Sequence, residues 1–206
     1  MKKILIILSI FILCGCSNNN QFNEQKTVEE LKKITSTEIK ANTSAKGFKY
    51  YKPRDFALLE TYDFNHVLVH KANKYYLNVD ANAYYDKMII KYVSNEDLYF
   101  SKKIELDNEN EAYLEIKQLN NSYFLVKMLY NYSSIEVSVR ENDLYDAVVN
   151  SMIILSSIRY NDNVIASIIN NNDLDTRDNT YEIKKPKTKK EKTNILDVYN
   201  YQEETN

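Results

Sequence analysis

The sequence predicts an α+β fold in which an antiparallel β-meander sheet is packed by a C-terminal helix. Three observations lead there. Between Phe48 and Arg140 apolar and polar residues alternate with period two, and Tyr and β-branched residues abound, the pattern of half-buried strands. Short links join the alternating segments, which suits antiparallel neighbours. From Asp143 to Ser156 the period turns helical, with Leu144, Val148, Met152 and Leu155 in one stripe and Ala147 and Ile154 beside it.

The 206 residues are 44% hydrophobic and include 18 Tyr and 7 Phe, enough for the core of one ordinary domain and too few for two. The chain has only 2 Gly, which argues against a Gly-rich phosphate loop or a Gly-bearing nucleophile elbow.

The N-terminus carries Lys2 and Lys3, an apolar run from Ile4 to Leu13, and then Cys14-Gly15-Cys16 before polar Ser17-Asn18-Asn19-Asn20. That is the layout of an export signal. The run is far short of the roughly 20 residues that span a bilayer. Leu13-Cys14-Gly15-Cys16 resembles the lipobox of bacterial lipoproteins. The resemblance implies that residues 1–15 are a cleaved signal peptide and that Cys16 carries a diacylglycerol thioether and an N-acyl chain. No other cofactor is expected. Two or three acyl chains hold a protein stably on a membrane where one does not, so the expected location is the extracytoplasmic face of the cell membrane. With Cys14 removed and Cys16 modified, no thiol remains for a disulfide, a metal or catalysis. Loss of Lys2 and Lys3 leaves 25 basic against 29 acidic residues, a charge of −4, and nucleic acid is not an expected partner.

Residues 16–46 read as the lipidated Cys and a polar tether. Within it Thr27-Val28-Glu29-Glu30 matches a capping box ahead of Leu31 and Ile34, which predicts a short helix that either lies on the domain or stays in the spacer, the spacer being favoured. Residues 47–170 form the expected globular domain. Strands are expected at His66–His70, Lys74–Asp80, Leu98–Leu106, Glu111–Leu119, Phe124–Tyr130 and Ser134–Val139. Lys71-Ala72-Asn73 and Asn120-Asn121 are the expected hairpin links. Ser157–Tyr160 reads as a last short strand, and Val164/Ile168 with Ile165/Ile169 as a weaker helix. Residues 171–206 form a polar, Lys-rich tail, including the run Lys184–Lys192 with a charge of about +5, read as solvated.

The order of signal, tether, opening strand, antiparallel sheet, packed helix and terminal strand is similar to the Mog1/PsbP-like family. The matching residues are Tyr50-Tyr51-Lys52-Pro53-Arg54-Asp55-Phe56 and Val148 through Tyr160. The resemblance implies an α/β/α sandwich and a binding or assembly module rather than an enzyme.

Several candidates for chemistry remain. His66-Val67-Leu68-Val69-His70 has zinc-like spacing, but on a strand the two Cα atoms stand about 13 Å apart, too far for one ion. Asp107–Gln118 lacks the Gly and Glu of a calcium loop, and Asn171–Glu182 matches only in part. No carboxylate pair stands out among 29 acidic residues for glycoside hydrolysis. The Tyr doublets Tyr50-Tyr51, Tyr75-Tyr76 and Tyr84-Tyr85, where they lie in strands, send one ring to each face. Their exposed rings are the candidate surface for an envelope protein or glycan.

The expectation is therefore a membrane-anchored binding or scaffolding module without enzymatic activity. The alternatives are an envelope-polymer hydrolase using a carboxylate pair, or the ligand-capturing lipoprotein of a transporter.

Overall fold

Leu31 and Ile34 stand three apart beside charged neighbours, and a helix is what lets both reach one buried side. The computed structural model describes residues 22–106, 110–120 and 122–171, and in it helix α1 (Glu24–Thr35) places Leu31, Ile34 and Thr27 out of solvent. The lipobox, most of Asp107–Asn110 and the Lys184–Lys192 run lie outside the described residues.

Strands β1 (Thr43–Ala45) and β2 (Phe48–Tyr50) follow, then β3 (Ala57–Tyr62), β4 (Asn65–His70) and β5 (Asn73–Val79). A short helix α2 (Ala81–Tyr85) precedes β6 (Phe100–Ile104), β7 (Ala112–Gln118), β8 (Tyr123–Tyr130) and β9 (Ser133–Arg140). One 3-10 turn leads into α3 (Leu144–Ser156), followed by β10 (Arg159–Tyr160) and α4 (Asp162–Asn170).

Seven strands form one antiparallel sheet in the order β3-β4-β5-β9-β8-β7-β6, and β1, β2 and β10 form a second, smaller sheet. The large sheet is two meanders laid side by side. Residues 86–99 carry the chain from the β5 side to the far edge, so that the second meander returns to place β9 against β5. One face holds the core: Leu68, Tyr75, Leu77, Ile135, Val137, Val126, Met128, Leu114 and Ile116 join one cluster with Val148 and Met152 of α3 and Leu31 of α1. Full burial of each such side chain contributes about 2 kcal/mol. The α+β meander packed by a C-terminal helix is thus the observed class, and both helices that pack on the sheet, α1 and α3, share this face.

Two expectations need correction. The helix expected in a free spacer is packed on α3 and belongs to the body. It also begins earlier than the capping box suggests: Asn23 is the cap, its side-chain oxygen accepting from Lys26 N–H, and Thr27 is a buried interior residue. The 71–73 link does join β4 to β5 as a hairpin, with Lys71 (φ 48°) and Ala72 (φ 65°) in the left-handed region.

Gly47, the one glycine after Gly15, meets a double demand. Its φ is +81°, and an added Cβ would stand 3.1 Å from Ile165 Cγ1 and 3.2 Å from Phe64 Cε1.

Candidate functional site

The strand period of two that fills the core also builds the opposite face of the large sheet. Register aligns one residue from every strand across it: Glu60, Val67, Tyr76, Glu136, Lys127, Glu115 and Ser101. Lys127 Nζ lies 3.4 Å from Glu136 Oε1, so an ammonium group stands between two carboxylate-bearing strands. Glu136 is itself buried. Tyr76 is half-buried in this row, and burial raises its phenol pKa, with Glu60 and Glu136 adding to the shift.

The neighbouring row runs Tyr62, Asn65, Asn78, Ser134, Leu129, Tyr113 and Lys103. Asn65 Oδ1, Ser134 Oγ and Ser138 Oγ are buried on this face without a hydrogen-bond partner among the described residues. Leaving such an atom unsatisfied costs about 1–3 kcal/mol. The face therefore carries a row of charged side chains and a phenol, half-exposed at Tyr76, Lys127 and Glu115, over polar oxygens that are themselves buried.

Residues 86–99 cross this face as an extended strap. Met88, Ile90 and Tyr92 are half-buried while Ile89, Lys91 and Val93 are exposed, a strand-like alternation. Tyr92 stacks on Tyr113 with ring centroids 4.5 Å apart, and the Tyr113 hydroxyl donates to the Ile90 carbonyl. Burial and the nearby Glu111 push the Tyr113 phenol up to about 12.

The six candidate tyrosines do not form one surface. Tyr50 and Tyr75 are fully buried in the core and present no ring to a partner. Tyr51 lines a shallow groove of about 520 Å³ with Ile34, Thr37 and Ile153. Only Tyr76 reaches the second sheet face. Tyr84-Tyr85 sits on a helix, so the strand rule does not apply to it: Tyr84 stacks on Tyr160 at 3.8 Å and donates to Asp162 Oδ1, while Tyr85 is exposed. Cys16 lies outside the described residues.

Both histidines lie on β4, as expected, and each has its own neighbour. His66 Nδ1 is 2.9 Å from the Tyr50 hydroxyl, and burial lowers the His66 pKa. His70 Nε2 is 2.7 Å from Asp55 Oδ2 and its ring stacks on Phe56. No group of three or more His, Cys, Asp or Glu among the described residues is placed to hold a metal ion.

The charged row was not found from the sequence. Glu115, Lys127 and Glu136 are spread over three strands, and only the register of those strands brings them together. No protein-family model, curated protein or solved structure matches the chain.

Proposed function

We propose that this protein is a lipid-anchored, extracytoplasmic binding module that presents the second face of its large sheet to a polar ligand. The observation that carries the reading is the row Tyr76, Glu136, Lys127 and Glu115 aligned across the face by strand register. Charges of both signs and a phenol recognise a polar polymer such as an envelope glycan through hydrogen bonds and ring contact. The similarity to Mog1/PsbP-like binding modules and the lipobox ending at Cys16 support the same reading.

A binder is favoured over a hydrolase because Lys127 stands between the strands that bear Glu115 and Glu136 and ion-pairs with Glu136. Glycoside hydrolysis needs two carboxyl groups free to face the scissile bond from opposite sides.

Two measurements test the reading. Cells fed a clickable fatty acid should label the wild-type chain and not the Cys16→Ala variant, which should leave the membrane fraction. Soluble envelope glycan fragments should bind the wild-type protein, and Lys127→Ala with Tyr76→Ala should weaken that binding. Labelling that survives Cys16→Ala contradicts the anchor, and unchanged binding by the double variant contradicts the face.

A further inference from the structure

The packing of α1 sets how far the body stands from its anchor. Phe22 is already part of the body, with its ring 5.6 Å from Phe100 and 6.2 Å from Tyr99. Only residues 17–21 separate it from Cys16. Six Cα steps reach at most about 20 Å, whereas a spacer running to residue 46 would reach roughly 100 Å. If Cys16 is acylated, as proposed above, the start of β6 is held within a short span of the lipid headgroups.

The side chains around that point suit such an interface. Tyr99 is 53% exposed and Val93 84% exposed. The Tyr92 hydroxyl and the Asn95 N–H both bond to Ser101 Oγ, which sets Val93 beside β6 on the second face, while Phe22 flanks it from the core side. Lysines on β6 are already paired, Lys102 with Glu24 and Lys103 with Glu111. Exposed Glu96 and Asp97 follow on the strap, so contact with anionic lipid gains nothing from charge. A Tyr ring with an apolar body and a polar tip is favoured at headgroup depth, and an exposed Val gains from leaving water.

We propose that the β6 edge of the body, with Tyr99 and Val93 foremost, rests directly on the bilayer surface. The second face of the sheet is then presented at a fixed height and tilt rather than swinging on a leash. This inference rests on the acylation of Cys16, and its test separates the two.

Val93→Cys and Leu59→Cys are each made in the full acylated chain, labelled with an environment-sensitive fluorophore and bound to phosphatidylcholine vesicles. Leu59 lies on β3, the opposite edge of the sheet, and is 52% exposed. Mass analysis and vesicle sedimentation are recorded on the same samples. The label at 93 should shift to the blue and become several-fold less accessible to an aqueous quencher, while the label at 59 stays in water. Equal accessibility at the two positions, in protein that carries acyl mass and sediments with vesicles, overturns the docking proposal and leaves the anchor standing. Protein without acyl mass overturns both.

Discussion

The ring of Phe22 meets that of Phe100 edge to face, with centroids 5.6 Å apart and planes at 78°. This contact fixes where the body begins. It ties the chain ahead of α1 to an edge strand of the large sheet, and the salt bridge of Lys102 to Glu24 at 2.6 Å joins the same two segments two residues later. The polar stretch from Phe22 to Thr35 is therefore part of the body.

If α1 is structural, its buried face should contribute to global stability. Leu31 is fully buried, so Leu31→Ala should destabilise the protein by about 2–4 kcal/mol, read as a lower urea midpoint. A shift within about 0.5 kcal/mol, typical of a surface site, would mean that α1 adds nothing to the fold.

Backbone geometry makes two opposite expectations at left-handed positions. Gly47→Ala should cost about 1–2 kcal/mol from conformation alone, and more as Ile165 and Phe64 give way. Ala72→Gly, at φ 65° on an exposed hairpin turn, should stabilise by about 0.5 kcal/mol. Thermal melts of the two variants check both signs, and a stabilised Gly47→Ala would contradict the geometry.

Acid should weaken the fold through His66. Burial lowers its pKa in the folded chain, while the unfolded chain protonates near 6.5. The unfolded state then binds more protons, so this contribution is complete above about 6.5 and is lost as pH falls toward the depressed folded value. Urea midpoints measured between pH 7.5 and pH 5.5 should fall more steeply for wild type than for His66→Gln. Parallel slopes would remove His66 as the cause.

Alkali should act through the phenols. Burial is the largest cause raising Tyr50, Tyr75 and Tyr160 well above the ordinary tyrosine range. Their contribution is present below about pH 10, where unfolded phenols are neutral, and is lost as pH rises beyond it. Absorbance at 295 nm should show these phenolates appearing together with the loss of circular dichroism. Titration of all tyrosines ahead of unfolding would contradict their burial.

Much of the fold was legible because it depends on local period. The alternation of Ala112/Leu114/Ile116 and Phe124/Val126/Met128 places those residues on the core face, and the Leu144–Leu155 stripe is the buried side of α3. The role of α1 was not legible, since Leu31 and Ile34 show a helix with an apolar side but not what lies opposite it. Asp80, whose side chain accepts from Ala83 N–H, was a cap signal that could have marked Tyr84-Tyr85 as helical. The strap carries no such signal, because Met88 to Val93 alternate in burial but not in sequence and pair with no strand. The charged row depends on the register of strands far apart in sequence, which no local pattern encodes.

Hydrogen exchange along α1 in the full chain tests the account most directly. Amides from Leu31 to Thr35 should be protected to the same degree as those in the middle of α3, opening only with the whole domain. Exchange of those amides at the rate of an unstructured peptide would contradict the account and detach α1 from the body.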